Sequence, residues 1–221
     1  FLVEQTKPEV FYGELARDSA NLLEQYGDFA GKTLLDVGAG PSQFAEEFSE
    51  RGAQYLPVDL DAHADSLEFG GVAADARFLP FADEAMDITF SSNLLEHVPV
   101  PDSVANELVR VTKPGGFIFL SYTNWFSPWG GHETSPWHWL GGKYAITRYV
   151  RKFGHLPKNR VDINLFRISV AWGIEWAHRH PGVEVVECRP RYLPRWAQGI
   201  VRIPVLRELL TWNLLVILRK K

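Results

Sequence analysis

Hydrophobic positions in the first 122 residues switch repeatedly between a helical and a strand period. FYGELARDSANLLEQYG predicts an amphipathic helix that ends at Gly27. KTLLDVGAG then predicts a strand and a glycine turn, and SQFAEEFSERG predicts a helix with Phe44, Ala45 and Phe48 facing inward. The chain therefore opens with a helix, a strand, a tight turn and a second amphipathic helix.

Four more strands are predicted before residue 123. Their sequences are QYLPVDLD, GVAAD, MDITFSSN and FIFLSY, and PDSVANELVRVTKPGG predicts a helix before the last of them. Pro57 removes a ladder donor from the first of these strands, so we expect firm pairing only from Val58 onward. Strands that alternate with helices indicate βαβ units, and therefore an α/β fold with a mainly parallel sheet and helices on both faces.

The alternation stops after Tyr122 and returns near the C-terminus. Two helices, YAITRYVRKFG and SVAWGIEWAHRHPG, are predicted within an insertion, and two strands, VEVVECRPRYL and WNLLVILRK, follow with a partly helical linker between them. A length of 221 residues suits one domain. We predict four segments: an N-terminal helix at 1–30, a cofactor-binding core at 31–122, an insertion at 123–182 and a final strand pair at 183–221.

Composition and charge restrict the setting of the protein. The single cysteine, Cys188, excludes an internal disulfide framework and suits a reducing cytoplasm, which is the predicted location. Neither a secretion signal nor an apolar run of roughly 20 residues is recognisable. Residues 1–142 carry a net charge of −15 and residues 143–221 one of +11. The basic part could meet a phosphorylated lipid carrier, a nucleic acid or an acidic membrane face, or the two parts could simply complement each other.

The turn LLDVGAGPSQF follows the first strand, where open α/β sheets bind ligands. Gly38 and Gly40 allow close approach of a ligand to the backbone, and the helix after the turn favours an anionic group. A dinucleotide fingerprint needs a third glycine where Gln43 stands, and an ATP-type phosphate loop is missing. The turn therefore predicts a ligand site of another kind.

Three carboxylates stand near successive strand ends. Asp36 precedes the glycines, Asp59 ends the second strand and Asp75 ends the third. Carboxylates repel phosphates, so the three residues suit a cationic ligand that is rich in hydroxyl and amino groups.

These motifs resemble those of the class I S-adenosylmethionine-dependent methyltransferases, from Tyr12 to Tyr122 and again in the last two strands. Asp36, Gly38 and Gly40 match the first motif of the family, in which Ser42 replaces the last glycine. SSNLLEHV and TKPGGF match the segments after strand four and before strand five. The resemblance implies a Rossmann-like, doubly wound sheet of seven strands whose last strand is antiparallel, with S-adenosylmethionine as the cofactor.

The same resemblance assigns individual roles. Asp59 matches the acid that holds both ribose hydroxyls, Asp75 with Ala76 matches the pair at the adenine edge, and the SSNLLEHV segment lies beside the methionine moiety. His97 in this segment is expected to be structural. The predicted cofactor-binding residues are Tyr12, Asp36, Gly38, Ala39, Gly40, Asp59, Leu60, Asp75, Ala76, Ser92 and Asn93.

The insertion begins with NWFSPWGGHETSPWHWLGG, which concentrates tryptophan, histidine and glycine without a regular period. We predict that it is a lid over the acceptor, because transfer from a sulfonium needs an aligned acceptor in a dry pocket. Trp139 is a further aromatic wall of this lid. The predicted substrate-binding residues are Tyr122, Trp125, Trp129, Trp137 and His138.

An alcohol acceptor must lose a proton, and histidine is the usual base near neutral pH. His132 is the predicted base, Glu133 is predicted to orient it, to bind the acceptor or to hold a cation, and His138 is the reserve base. The spacing of these three residues matches no zinc signature, so no metal ligand is assigned, although a divalent metal stays open as an alternative.

Aromatic walls with few polar groups suit sugar rings as well as aromatic acceptors. The insertion also resembles actinobacterial methyltransferases of glycan and glycolipid biosynthesis, which implies O-methylation of a sugar, oligosaccharide or glycolipid precursor. A quinone or other natural-product hydroxyl is the first alternative. RNA methylation is disfavoured, because SSNL stands where a base-methylating Asn/Asp-Pro-Pro motif is expected. A non-catalytic cofactor-binding scaffold, peripheral membrane contact and a homodimer stay open.

Overall fold

A computed structural model describes residues 8–61 and 64–221 of the chain. Within these residues the strands are β1 Thr33–Val37, β2 Gln54–Asp59, β3 Val72–Ala73, β4 Met86–Ser92, β5 Thr112–Thr123, β6 Val183–Pro190 and β7 Asn213–Lys220. The α-helices are α1 Pro8–Glu24, α2 Ala45–Glu50, α3 Ala64–Leu67, α4 Pro101–Val111, α5 Gly142–Phe153, α6 Val170–Arg179 and α7 Leu206–Leu210. The described part of the chain also contains four 3₁₀ helices, Leu95–His97, His132–Thr134, Trp137–Leu140 and Arg195–Arg202.

The strands of the described residues form one sheet in the order β3-β2-β1-β4-β5-β7-β6. β1 lies parallel to both β2 and β4, and β2 lies parallel to β3. The sheet is mostly parallel and its last strand is antiparallel, so the fold class predicted from the sequence is confirmed. Strand order reverses beside β1, which puts the turn after this strand at a typical ligand-binding position.

Pairing of β2 starts earlier than the sequence predicted. The register with β1 runs from Thr33 opposite Gln54 to Val37 opposite Val58, so the expectation of firm pairing only from Val58 was wrong. Val58 accepts hydrogen bonds from the β1 side. Pro57 therefore faces the opposite side of β2, where β3 pairs only from Val58 onward, and the missing N–H costs no ladder bond.

The chain divides into two compact units. The first unit comprises the described residues up to Ser92, Asn106–Phe119 and Lys220, and the second comprises Asn93–Ala105, Leu120–Arg219 and Lys221. The single methyltransferase domain with the segments 1–30, 31–122, 123–182 and 183–221 stays a prediction, and so does the role of 123–182 as a lid.

Aromatic side chains fill the core of the first unit. The rings of Phe48 and Phe90 lie 5.2 Å apart, and those of Phe90 and Phe119 lie 4.5 Å apart in a stacked arrangement. Phe44 contacts the same cluster, which confirms the inward face predicted for the helix after the first turn. This packing holds the turn between β1 and α2 in place, because the residues on both sides of it are buried.

Helix α6 in the second unit begins where its sequence predicted. The Ser169 hydroxyl accepts a hydrogen bond from Trp172 N at 3.0 Å, which is an N-cap interaction. The Glu208 carboxylate accepts from Val170 N and Ala171 N at 2.8 and 2.7 Å, so three N–H groups of the first turn are satisfied. Among the described residues, no helix combines the length and the apolar character that crossing a membrane requires.

Candidate active site

The turn after β1 is built from residues with left-handed backbone. Gly38, Gly40 and Ser42 have φ angles of 81°, 53° and 56°. Ser42 stands where the family motif has its last glycine, and its backbone keeps the conformation that favours glycine. A Cβ atom at Gly40 would have open space around it, with no atom within 4 Å. A serine therefore holds the left-handed conformation at position 42, and the backbone at Gly40 is accessible to a ligand.

Asp59 is fixed at the tip of β2 by backbone donors. Its carboxylate accepts hydrogen bonds from Gly40 N at 2.8 Å and from Asp61 N at 3.3 Å. Leu60 beside it is exposed. A half-buried carboxylate held in this way keeps further lone pairs for ligand hydroxyl groups, as the role predicted for Asp59 requires.

Asp36 is buried on β1, two residues before Gly38. Its side chain is 2% exposed, and its Oδ2 accepts a hydrogen bond from the Tyr55 hydroxyl. Burial raises the pKa of Asp36 to about 7; the Tyr55 hydrogen bond lowers this pKa and the charge of Asp59 raises it. Near neutral pH Asp36 is therefore partly protonated, and its side chain is tied to Tyr55 on β2.

Asp75 is half-buried and bound to a cation of the chain. The Arg77 guanidinium donates from Nε and Nη2 at 3.0 and 2.6 Å, and these bonds lower the pKa of Asp75. Ala76 between them is half-buried. Of the three carboxylates near the strand ends, Asp36 has a raised pKa and Asp75 is paired with Arg77, and their roles in cofactor binding stay predictions.

The other predicted cofactor residues lie on several elements. In the first unit, Tyr12 is half-buried on α1, and its ring lies edge-to-face with Phe11. Ala39 is buried, and its N donates to Val58 O at 3.1 Å. Ser92 is the last residue of β4. In the second unit, Asn93 has a φ of 58°. Its Oδ1 accepts from Asn213 Nδ2 at 2.7 Å, which orients the amide. Cofactor binding by these residues stays a prediction.

Sequence reasoning missed a histidine and carboxylate cluster in the second unit. Glu96, His97 and His132 each offer one ligand atom, and these atoms lie within 4.8 Å of one another. Glu96 and His97 belong to the 3₁₀ helix after β4, and His132 opens the 3₁₀ helix His132–Thr134 with a φ of 49°. The sequence contained a signal, since the adjacent acid and histidine of LEHV follow a strand end.

The polar atoms of this cluster are unequally satisfied. Glu96 Oε1 accepts from Thr123 N at 2.9 Å, and His97 Nδ1 bonds to the Asn164 carbonyl oxygen at 2.7 Å. Glu96 Oε2 and His132 Nε2 are both buried, and neither atom has a hydrogen-bond partner among the described residues. Burial raises the pKa of Glu96, and burial together with the nearby His97 lowers the pKa of His132 to about 3.

Glu133 and His138 have other contacts. The Glu133 carboxylate accepts from Asn159 Nδ2 at 3.2 and 3.1 Å, which ties the 3₁₀ helix His132–Thr134 to the segment that carries Asn159. His138 is 2% exposed and its Nε2 bonds to the Trp125 carbonyl oxygen at 3.0 Å. These are the contacts of structural residues, and the catalytic role of Glu133 and the substrate role of His138 stay predictions.

The predicted aromatic walls fall into two groups. Tyr122 and Trp125 are buried; the Tyr122 hydroxyl donates to Ser169 O at 2.7 Å, and Trp125 packs in a small core cluster. Trp129 and Trp137 are 37% and 38% exposed. Of these four residues, Trp129 and Trp137 are therefore the ones that are exposed to solvent.

The strand order and the left-handed turn after β1 define the class I S-adenosylmethionine-dependent methyltransferase fold. A family model described as a methyltransferase domain matches residues 35–120. An uncharacterized methyltransferase of Mycobacterium avium is 45% identical, over 99% of this chain and 91% of the relative. One of Mycobacteroides abscessus is 43% identical, over 100% and 91%.

Solved structures agree on the fold. An S-adenosylmethionine dependent methyltransferase from Mesorhizobium loti superimposes with a TM-score of 0.61 at 18% identity, over 90% of this chain and 96% of the other. The chain belongs to the S-adenosylmethionine-dependent methyltransferases, and S-adenosylmethionine is its cofactor. The residues of the turn fit this cofactor, because the space in front of Gly40 is open and the Asp59 carboxylate is fixed beside it.

Proposed function

We propose that the protein transfers the methyl group of S-adenosylmethionine to a hydroxyl group of a sugar, oligosaccharide or glycolipid precursor. The observation that carries the proposal is the Glu96–His97–His132 cluster, with two buried polar atoms that no group of the described residues serves. A hydroxyl group must lose its proton as the new bond forms. Buried proton-accepting groups therefore favour an oxygen acceptor.

The proposed reaction is an in-line displacement. The cofactor supplies an electrophilic methyl group on a positively charged sulfur. In the proposal Asp59 and the turn around Gly40 hold the nucleoside part. The carbon–oxygen bond forms as the carbon–sulfur bond breaks, and the hydroxyl proton leaves through the Glu96–His97–His132 cluster. The imidazole of His132 as the base itself stays the prediction made from the sequence.

Exposed aromatic rings support a sugar acceptor. Trp129, Trp137 and Trp139 are exposed, and sugars stack their apolar faces on such rings. The Arg148 guanidinium lies 4.1 Å from the Trp137 ring centre, which adds a hydrogen-bond donor and a positive charge beside this ring.

The segment from Arg195 to Trp212 supports an acceptor that is attached to a lipid. It exposes large apolar side chains next to arginines, a combination that favours contact with an anionic membrane surface. The exposed apolar residues are Trp196, Ile203, Val205, Leu206, Leu209, Leu210 and Trp212. In this proposal the protein acts at the cytoplasmic face of a membrane; that location and a homodimer stay predictions.

The test is methyl transfer from an isotope-labelled donor to a matched panel of sugar, glycolipid, phenol and RNA acceptors, read by mass spectrometry. We expect label on a hydroxyl oxygen of a sugar or glycolipid. Label on phenols alone would favour the quinone or natural-product alternative, and label on RNA would favour a nucleic-acid enzyme. Cofactor binding without any transfer would favour the scaffold.

His132→Ala and Glu96→Gln test the observation that carries the proposal. Each variant should lower kcat by about 10²–10⁴-fold, the range of general acid–base effects, with little change in cofactor affinity. His155→Ala is the matched control, because it removes an exposed histidine of the same unit. Full turnover by both cluster variants would contradict the proposed role of the cluster.

A further inference from the structure

We propose that Glu96, His97 and His132 bind one divalent first-row transition metal ion, with Zn²⁺ as the best match. Two imidazoles and one carboxylate form a ligand set that such ions prefer. Their ligand atoms lie within 4.8 Å of one another. Metal bonds of 2.0–2.2 Å place ligands about 3.3 Å apart in a tetrahedral site. The side chains therefore need to close by at most about 1.5 Å.

The two buried atoms without a hydrogen-bond partner, Glu96 Oε2 and His132 Nε2, indicate that a cation is the missing partner. Glu96 is 1% exposed, and no donor in the described part of the chain serves its Oε2. His132 Nε2 is buried and also lacks a partner among those residues. A buried polar group without a partner costs free energy, and one cation would satisfy both lone pairs.

The orientation of His97 supports the same assignment. A carbonyl oxygen only accepts, so the bond between His97 Nδ1 and Asn164 O puts the ring proton on Nδ1. Nε2 is then the nitrogen with a lone pair. A histidine that binds a metal typically donates its other N–H to a carbonyl group in this way.

The group that orients His97 is itself held in place. The Asn164 side chain accepts from Arg160 N at 2.6 Å and donates to Lys158 O at 3.0 Å. Phe166 N, two residues further on, donates to Glu96 O at 2.7 Å. The loop that carries the Asn164 carbonyl is therefore tied at one end to the helix that carries two of the ligands.

Three protein ligands leave a position of the ion open, which is typical of catalytic rather than structural sites. The role of the ion, though not its binding, rests on the proposed function. A hydroxyl group at the open position would ionise more readily and release its proton to water as its oxygen takes the methyl group. Nε2 of His132 cannot bind the ion and accept that proton at once, so this inference replaces the imidazole base.

The experiment measures binding directly on the full chain after treatment with a chelator. Equilibrium dialysis with Zn²⁺ and elemental analysis should give one ion per chain, and Co²⁺ should develop the visible absorption of a low-symmetry site. His132→Ala, His97→Ala and Glu96→Gln should each weaken binding by at least about 100-fold, since loss of a group that merely orients a ligand already costs 10–100-fold. Circular dichroism serves as the control that each variant is folded.

Two further variants sharpen the test. His155→Ala should bind Zn²⁺ like the unchanged protein, because it removes an exposed histidine outside the cluster. Lys158 is exposed, and its positive charge acts on His132. Lys158→Gln should therefore tighten Zn²⁺ binding by no more than a few-fold.

The outcomes separate this inference from the proposed function. One ion per chain that is lost in the folded cluster variants supports the metal site. If the unchanged protein binds no more ion per chain than those variants, the metal site is refuted. Methyl transfer to a hydroxyl by the metal-free chain would in that case still support the proposed function. Bound ion without any hydroxyl methylation keeps the metal site and rejects the proposed function.

Discussion

Replacing Asp36 by asparagine should remove a pH dependence of stability that originates in one buried carboxyl group. Asp36 is 2% exposed, and burial raises its pKa from 3.8 to about 7. A carboxyl group with a raised pKa in the folded state contributes stability that is fully present below pH 3.8 and is lost as the pH rises to 7. The asparagine amide can still accept the Tyr55 hydrogen bond and carries no charge at any pH.

The size of the effect follows from the shift. About three pKa units correspond to about 4 kcal/mol between the acid and alkaline limits. Folded proteins are readily measured between pH 5 and pH 8. The stabilising free energy that is lost over this pH range corresponds to about two pKa units, or about 2.5 kcal/mol. We therefore expect Asp36→Asn to stabilise the protein at pH 8 by about 2.5 kcal/mol more than at pH 5.

The assay is urea unfolding of both proteins at pH 5 and pH 8 without cofactor, with Asp61→Asn as the control for an exposed carboxylate. The quantity to compare is the change in free energy of unfolding with pH, variant minus unchanged protein, because other titrating groups then cancel. A difference below about 0.5 kcal/mol would refute the argument that burial controls this carboxyl group.

Three other substitutions test particular contacts. Asp59→Asn should weaken S-adenosylhomocysteine binding by at least about tenfold in calorimetry, because charged hydrogen bonds contribute about 1.5–3 kcal/mol. Unchanged affinity would argue against the predicted binding of the ribose hydroxyls by Asp59. Gly173→Ala would bring its Cβ to 2.8 Å from Leu214 Cδ2 and should lower the free energy of unfolding by about 1–3 kcal/mol, whereas Gly199→Ala meets no atom within 4 Å and should cost less. Ser169→Ala removes the cap of α6 and should cost about 1 kcal/mol in urea unfolding; a loss near zero would mean that Glu208 suffices.

Much of the fold could be predicted because its signals are local. The helix over residues 170–179, its Ser169 cap and the inward residues of α2 all follow from spacing within a few turns. The failure at Pro57 has a non-local cause. Which side of β2 the proline faces, and how far β3 extends beside it, depends on residues that are distant in sequence.

The candidate site could be predicted only in part. The glycine turn and Asp59 lie next to strand ends, so their position follows from the order of elements. Glu96 and His97 were not assigned to a site with His132, because the two 3₁₀ helices that carry them are separated by a helix and a strand. No local period indicates that their side chains meet.

The sequence by itself determined the elements, the βαβ order and the ligand turn, because periodicity, caps and glycine positions act between near neighbours. Only the tertiary structure decided the chemical state of the side chains. Burial and the Tyr55 hydrogen bond set the pKa of Asp36, and Arg77 pairs with Asp75. The Asn164 carbonyl sets the tautomer of His97. Desolvation and hydrogen bonding depend on all surrounding groups, and folding brings most of those groups from elsewhere in the chain.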